Sequence, residues 1–284
     1  GWERTDPYLP FGEGRFTFGF NGEGGLAYLF DRETRQLWAS PTHALGFLRY
    51  QTFSQRDYDR FYRQYIVNKR QTAFWALDDF TKPGIEPAGA LSRMWVPKLE
   101  RLYTKLEDGS QHFLLWLLFP SQAVSQFGAP AEAWLEVQIP QQEPEIRFNL
   151  QWFDKAACRF PEALWFSFEP VLQAGAWTLD KLGQAIDPLE VARNGNRHLH
   201  GIGAGVEWRG NKGLFSISSP DAPLVATGKP SLLNFASSCI WEKLLPNLFI
   251  IIACNLFENS FSICVHWTSL NEFARSVTAI CSVI

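Results

Sequence analysis

The chain has 284 residues, of which 46% are hydrophobic and 19% are charged, and its formal net charge is −3 at pH 7. This balance provides no basic surface of the kind that favours a nucleic acid or an anionic membrane as a partner. Aromatic residues make up 15% of the chain, including 12 Trp, so most of these rings must fill a core. The remaining rings are candidates for surfaces that stack against a ligand.

Alternating apolar residues predict antiparallel strands near the N-terminus. Phe16, Phe18 and Phe20 alternate with smaller residues, and a turn at 21–25 leads into a second apolar run. Residues 54–66 break this alternation, because a Ser/Asp pair typical of a helix start is followed by aromatic residues at helical spacing. We therefore expect a β-meander followed by one short amphipathic helix.

Strand signals return after residue 93. Residues 101–106 and 112–119 flank a turn that contains Asp-Gly, which predicts a β-hairpin. The second strand of this hairpin is apolar on both faces, so we expect it in the middle of packed sheets. Residues 133–139 and 145–152 continue the pattern. The sequence predicts a mainly β fold of large antiparallel sheets with one or two short helices.

The C-terminal segment differs from the rest of the chain. From residue 236 onward Gly disappears and Cys becomes frequent, and an apolar run at 248–253 is too short to span a bilayer, which favours a buried strand. We expect one domain over residues 1–284, with atypical terminal strands at 236–284. The five cysteines lack the spacing of a zinc site, and they favour buried free thiols, with a disulfide inside the C-terminal segment as the alternative. They are Cys158, Cys239, Cys254, Cys264 and Cys281.

The start of the chain indicates no compartment. The single methionine is Met94, so we expect either that an N-terminal segment was removed or that the chain is a piece of a longer protein. The first residues have neither the basic nor the apolar region of a signal peptide.

Two stretches carry residues that suit a ligand site. Glu162 and Trp165 lie in the first stretch, and Arg197, His198 and His200 lie in the second. Positions i and i+2 of a strand share a face, so the two histidines should point the same way. Indole rings stack on the C–H faces of a sugar, while imidazole, guanidinium and carboxylate groups hydrogen-bond its hydroxyls. The alternatives are one core histidine beside a solvated one, or a metal pair, for which no third ligand has a clear spacing.

A further aromatic and carboxylate pair lies in a loop. Trp75 and Asp78 precede a Lys-Pro-Gly turn, and we include both among the predicted sugar contacts. A glycosidase needs two carboxylates that face each other across the glycosidic bond, and the sequence does not show which carboxylates converge. No GxSxG elbow, phosphate loop, GxGxxG turn or HExxH helix occurs. The sequence therefore predicts no cofactor, no metal and no defined catalytic residue.

Several segments resemble an uncharacterised family of large glycosidase-like proteins. That family is similar to the alpha-mannosidases that join a catalytic β/α barrel to a C-terminal supersandwich like that of galactose mutarotase. The resemblance covers roughly residues 10–235 and is carried by residues 50–54, 57–61, 161–168, 180–183, 194–200 and 221–225.

This resemblance implies a carbohydrate-associated β-supersandwich. In the mannosidases the metal and the carboxylate nucleophile belong mainly to the barrel, and no part of this chain resembles that barrel. The resemblance therefore implies no catalytic residue here. It implies a carbohydrate ligand and, as a partner, a missing N-terminal catalytic barrel.

Three functions remain open at this point. The leading hypothesis is a carbohydrate-binding supersandwich, the C-terminal part of a glycoside-hydrolase-like protein without a complete catalytic site. The alternative is a self-contained mutarotase-like epimerase or polysaccharide lyase that uses a histidine and a carboxylate such as Glu169. The third is a structural domain that only packs against a partner.

Overall fold

Nineteen strands and two helices make up the described part of the chain. The structure, a computed structural model, describes residues 1–228 apart from 9, 13, 67, 69, 72, 74, 76–81, 193–194, 197–198 and 212, and also the strands at 248–252 and 260–269. The strands are β1 (Glu3–Thr5), β2 (Phe16–Phe20), β3 (Leu26–Asp31), β4 (Gln36–Ala39), β5 (Leu45–Thr52), β6 (Arg93–Trp95), β7 (Lys98–Glu107), β8 (Ser110–Leu118), β9 (Glu132–Pro140), β10 (Glu145–Phe153), β11 (Glu162–Phe168), β12 (Gly175–Lys181), β13 (Gln184–Ile186), β14 (His200–Gly201), β15 (Gly205–Gly210), β16 (Gly213–Ser218), β17 (Leu224–Thr227), β18 (Leu248–Ile252) and β19 (Ser260–Ser269). The helices are α1 (Gln55–Tyr65) and α2 (Ser121–Phe127).

These strands form two large antiparallel sheets. The first has ten strands in the order β1-β7-β8-β9-β10-β19-β16-β15-β12-β13. The second has nine strands, with the path β14-β17-β18-β11-β5-β3-β2, while β4 pairs with β3 and β6 pairs with β5. The predicted mainly β class is therefore confirmed.

The core lies between the two sheets and is built largely from aromatic rings. Phe18 and Phe20 of β2 each place their ring centroids 5.2 Å from that of Phe113 on β8. Farther along the core, Phe148 of β10 meets Phe166 of β11 at 5.7 Å. Burying a ring of this kind stabilises the fold by roughly 1.5–3 kcal/mol. The alternating phenylalanines of the sequence thus hold one sheet against the other.

Gly46 of β5 lies where the two sheets pack closely against each other. Its φ of +64° lies in the left-handed region. A Cβ added there would lie 2.4 Å from Cε1 of Phe148, which belongs to the opposite sheet. Only glycine therefore satisfies both the backbone conformation and the packing at this position.

The predicted helix and hairpin are both present. At the start of α1, the backbone N–H and the hydroxyl of Ser54 donate to Oδ2 of Asp57 at 2.8 and 3.0 Å. Between β7 and β8, Asp108 and Gly109 both have positive φ, at +49° and +71°. Two left-handed residues in succession are typical of the tight turn that matches the twist of a hairpin.

Each sheet has an inner face, which contacts the other sheet, and an outer face. Strand alternation assigns Phe113, Leu115 and Leu117 of β8 to the inner face, where all three are buried. The strand lies between β7 and β9, as expected for an internal strand. On the outer face, His112, Leu114, Trp116 and Leu118 are only partly buried, so this face of β8 is accessible to a ligand.

Candidate functional site: an aromatic face on the ten-stranded sheet

Trp165 does not form a stacking surface. Its ring is fully buried on the outer face of β11, where it packs with Phe53 and Ala226. Its Nε1 donates to Oε1 of Gln51 at 2.8 Å, so the one polar atom of the ring is satisfied inside the protein. The prediction that this indole stacks on a sugar is therefore wrong for this conformation, because no face of the ring reaches solvent.

Glu162 and His200 lie on the inner side of the same sheet. Glu162 shares its face with the core residue Leu164 by alternation, and its Oε1 accepts from Nζ of Lys155 at 2.6 Å. Its Oε2 also accepts from the hydroxyl of Tyr50. These internal contacts place the carboxylate opposite Trp165 across the sheet, so the predicted shared pocket is not formed by this pair.

His200 is the residue of the predicted histidine pair that the structure describes. It stands opposite Val225 in the β14–β17 pairing, and directly opposed residues of antiparallel strands share a face. Val225 belongs to the core between the sheets, and His200 is itself only 3% exposed. An imidazole in this position faces the core side of the sheet rather than the side that carries Trp165.

Of the four remaining predicted contacts, three lie outside the described residues and one is exposed. Arg197, His198 and Asp78 lie outside the described residues, so their roles stay predictions. Trp75 is 61% exposed and keeps a ring surface that a ligand can reach.

A different group of aromatic and polar side chains, none of them predicted as site residues, comes together on the outer face of the ten-stranded sheet. We call Tyr103, Trp116 and Trp134 the aromatic ladder; these three side chains come from β7, β8 and β9 and are all partly buried. The ring centroids of the two tryptophans are 5.8 Å apart with planes 16° from parallel. Tyr103 continues the series, 6.5 Å from Trp134 with planes at 25°.

Strand pairing explains why these rings meet. Trp116 stands directly opposite Trp134, and Arg101 stands opposite Trp116 on the other side. Neighbours across antiparallel strands have Cβ atoms about 4.5–5.5 Å apart, so large flat side chains there must stack. A centroid distance of 5.8 Å between nearly parallel rings indicates an offset stack, which leaves part of each ring face uncovered.

Carboxylates and an imidazole border the ladder. Nε1 of Trp116 donates to Oε2 of Glu132 at 2.6 Å, which orients both groups. One row farther along the strands, Nδ1 of His112 lies 3.2 Å from Oε1 of Glu136. Glu132 and Glu136 alternate with Trp134 along β9, so all three point outward. The face thus offers apolar ring surface and hydrogen-bonding groups side by side.

Two cations cover rings of this face. The guanidinium of Arg101 lies 4.9 Å from the centroid of Trp116, and Nζ of Lys105 lies 4.8 Å from that of Trp2. The Trp2 ring in turn meets the ring of His112 edge-on at 6.5 Å. Cation–π contacts at exposed sites are worth about 0.5–1 kcal/mol, so a ligand displaces them at small cost.

Glu169, the carboxylate considered as a catalytic base, belongs to a different environment. Its Oε1 accepts from Nη2 of Arg49 at 3.4 Å. Burial lowers the pKa of the Arg49 guanidinium, and the attraction of Glu169 and Glu23 opposes that effect. The carboxylate is therefore engaged by a partly buried cation.

The ladder was not predicted from the sequence, because β8 is apolar on both faces and its pattern does not show which side Trp116 faces. A pattern that indicates an outward Trp134 is present in β9. Its apolar residues alternate with Glu132, Trp134, Glu136 and Gln138, of which only Trp134 is not polar. That alternation indicates that Trp134 points outward with the two glutamates. Only the pairing of β8 with β9 shows that Trp116 stands beside it.

The described part of the chain holds neither a metal-binding cluster nor a helix that could span a membrane. Within the residues that the structure describes, no group of three or more His, Cys, Asp or Glu side chains is arranged to hold a metal ion. In the same residues, neither helix has the length and apolarity needed to cross a membrane.

Two solved structures share this fold, and a third matches more weakly. An alpha-mannosidase from Enterococcus faecalis matches with a TM-score of 0.56 and 9% identity, over 99% of this chain and 32% of the mannosidase chain. A protein in glycosyl hydrolase family 38 from the same organism matches with a TM-score of 0.54 and 9% identity, over 99% of this chain and 33% of that one. A galactose mutarotase-like protein from Lactobacillus casei covers 92% of this chain and 99% of its own, with a TM-score of 0.42 and 10% identity.

By its fold, the protein is thus a β-sandwich of the kind found within an alpha-mannosidase chain, and the predicted resemblance is confirmed at the level of the fold. The chain spans about a third of the length of the mannosidase-type chains it matches. Residues 2–147, more than half of the chain, match the family model described as Domain of unknown function (DUF5054), and the chain belongs to that family. No curated protein is similar enough in sequence to count as a relative.

Proposed function

We propose that this chain is a carbohydrate-binding β-supersandwich, the C-terminal part of a glycoside-hydrolase-like protein that does not hold a complete catalytic site of its own. One observation carries this proposal: the aromatic ladder places ring surface next to Glu132, Glu136 and His112 on a single accessible face. Sugars present apolar C–H faces and hydroxyl edges together, and this face matches both.

The mode of binding follows from the arrangement of the face. A pyranose ring stacks on the uncovered part of Trp134 or displaces the Arg101 guanidinium from Trp116. Its hydroxyls then donate to the carboxylates of Glu132 and Glu136, which are already oriented by their neighbours. Trp75, with its exposed ring, is proposed as a further stacking contact, and Arg197, His198 and Asp78 stay proposed contacts as well.

The comparisons support the association with carbohydrate at the level of the fold. The chain is similar to one third of an alpha-mannosidase chain, so the larger part of such a protein is not represented here. We accordingly propose that a catalytic barrel is the partner of this domain, and that the chemistry on the sugar takes place in that partner.

A glycan array followed by titration with the best ligand tests this function. We expect Trp134→Leu to weaken binding by about 2- to 12-fold, because the replacement keeps apolar volume and removes the stacking ring, which is worth roughly 0.5–1.5 kcal/mol beyond its area. Tyr28→Leu is the matched control: Tyr28 is an exposed aromatic residue of β3, on the other sheet.

Two results would contradict the proposal. One is an array on which no glycan is retained, which would favour the structural, partner-packing reading. The other is a Trp134→Leu protein that binds as well as the Tyr28→Leu control. Circular dichroism spectra of both variants establish beforehand that they are folded.

A second function is favoured by one contact. The His112 and Glu136 pair, with Nδ1 and Oε1 3.2 Å apart, offers an acid and a base beside the ladder. A mutarotase-like epimerase or a polysaccharide lyase needs such a pair. Catalysed anomer exchange of free aldoses, or formation of unsaturated products from uronates, would establish this function if the activity is lost in His112→Ala. If the unmodified chain shows neither activity, this second function is rejected and only the binding function is left.

A further inference from the structure

A separate groove lies on the outer face of the same ten-stranded sheet, near its opposite edge. We call it the edge groove, and its volume is about 360 Å³, within the roughly 300–1,000 Å³ typical of small-molecule sites. It is lined by residues of β12, β13, β15 and β16 and by the loop before β15. The polar side chains of its lining are those of Thr178, Asp180, Gln184, Glu207, Ser216 and Ser218.

Small residues create this groove. Gly205, Ser216 and Ser218 occupy outward positions of β15 and β16, where β9 instead carries tryptophan and glutamate. At Gly205 the strands approach so closely that an added Cβ would lie 2.1 Å from the carbonyl oxygen of Ile217. The β12–β13 hairpin forms one side of the groove, so the depression is part of the strand framework.

The loop beside the groove is held by Asp180. Its Oδ1 accepts from the backbone N–H of Gly183 at 2.9 Å, and its Oδ2 accepts from that of Ala204 at 2.7 Å. Each carboxylate oxygen accepts up to two hydrogen bonds, so both oxygens retain accepting capacity toward the groove.

The hydroxyl groups of the groove also act as acceptors toward a ligand. Thr178 donates its hydroxyl hydrogen to the carbonyl oxygen of Glu207 at 3.4 Å, and Ser218 donates to the carbonyl oxygen of Ala204 at 3.4 Å. A hydroxyl whose hydrogen is used in this way presents its lone pairs to the remaining space. The Gln184 amide and the Ser216 hydroxyl are the side-chain groups of the lining that supply donors among the described residues, and they are outnumbered by the acceptors.

Glu207 adds a negative charge that a ligand is able to reach. Both contacts from Arg209, at 2.9 and 3.3 Å, go to the same oxygen, Oε1. The two side chains are 36% and 60% exposed, and exposed ion pairs of this kind contribute at most about 1 kcal/mol. A cationic ligand group therefore competes with Arg209 for this carboxylate at little cost.

From this excess of acceptors over donors we infer that the edge groove binds a small ligand that is rich in hydroxyl groups and carries a positive charge, namely a protonated amino sugar. The hydroxyls donate to Asp180, Thr178 and Ser218, and the ammonium group pairs with Glu207. The edge groove is distinct from the aromatic ladder, and ligand binding in the groove does not depend on whether the ladder binds glycans.

Calorimetric titration with D-glucosamine, D-glucose and N-acetyl-D-glucosamine, at a pH where the free amine is protonated, tests this inference. We expect glucosamine to bind about 5- to 10-fold more tightly than glucose, because a charge-assisted hydrogen bond is roughly twice as strong as a neutral one. N-acetylation removes the charge, so N-acetylglucosamine should lose this advantage.

Variants assign the selectivity to the groove. Glu207→Gln should bring the glucosamine-to-glucose affinity ratio close to one. Glu100→Gln is the matched control, because Glu100 also forms an exposed i, i+2 ion pair on the same sheet, with Lys98. Ser216→Leu fills the groove and should abolish binding of both sugars.

The contrary outcomes are equally specific. No binding of glucosamine, or a ratio that Glu207→Gln leaves unchanged, would overturn the inference. Loss of glucosamine binding in Trp134→Leu would also overturn it, because the ligand would then lie on the ladder. If the ladder binds no glycan but the selectivity for glucosamine still depends on Glu207, the proposed function is refuted and the inference about the edge groove stands.

Discussion

The aromatic ladder and the edge groove lie on the same face of one sheet, and they differ in the size of the side chains that point outward. In β8 and β9 the outward positions hold Trp116 and Trp134, which stack across the strands. In β15 and β16 they hold Gly205 and Ser216, which leave a depression. The inward positions of both regions are apolar and buried alike.

The two faces of this one sheet therefore differ in what their residues do: the inward residues stabilise the fold, and the outward residues form the proposed binding surfaces. Inward residues pack against the second sheet and determine the fold. Outward residues are released from that requirement, so the same strand framework presents a raised aromatic surface in one region and a polar concavity in the other. The ladder then contributes stability through its own stacking, while the groove side chains contribute little.

The largest effect should come from the backbone of the groove. Gly205→Ala places a Cβ 2.1 Å from the carbonyl oxygen of Ile217, so β15 and β16 must separate. We expect the free energy of unfolding to fall by about 3 kcal/mol, the upper part of the range for overpacked sites. Gly201→Ala is the control, because an added Cβ there meets nothing within 4 Å. Equal denaturation midpoints for the two variants would show that the close strand approach is absent.

The next effect tests the ladder. Trp116→Leu and Trp134→Leu should each lower the free energy of unfolding by about 2 kcal/mol, less than for a fully buried ring because both are partly exposed. In a double-mutant cycle by chemical denaturation, the pair should show a coupling of about 1 kcal/mol, as expected for stacked rings. Additive single effects would mean that the two rings do not stabilise each other.

The smallest effects compare one carboxylate from each region. Glu132→Gln replaces a charge-assisted hydrogen bond from Trp116 by a neutral one and should lower the free energy of unfolding by about 0.5–1 kcal/mol. Glu207→Gln removes an exposed ion pair and should change it by only a few tenths of a kcal/mol. A reversed order of these two values in urea denaturation would contradict the view that contacts of the ladder stabilise the fold more than contacts of the groove do.

Much of the fold was predictable from the sequence. The phenylalanine alternation of β2, the Ser54 and Asp57 start of α1 and the Asp108-Gly109 turn were all confirmed. These features depend on contacts within a few residues, and their periods of 2.0 and 3.6 are visible in any linear pattern.

The residues of the candidate site were not predicted from the sequence. The prediction joined Trp165 with Arg197 and the two histidines, whereas the aromatic ladder consists of Tyr103, Trp116 and Trp134. Trp165 was wrongly included, because a tryptophan in a strand pattern does not reveal what covers it; here Phe53 and its neighbours do. His200 and Glu162 were predicted beside Trp165, but both face the core side of the sheet. The local sequence does not show which face of a strand the second sheet covers.

By itself, the amino-acid sequence determined where strands, turns and the first helix form, because those depend on local spacing. Which strands become neighbours, and therefore that Trp116 stacks on Trp134, was decided only by the tertiary structure. The physical reason is that a side chain's exposure depends on residues far along the chain. Pairing and covering layers bring those residues together, and no local pattern records them.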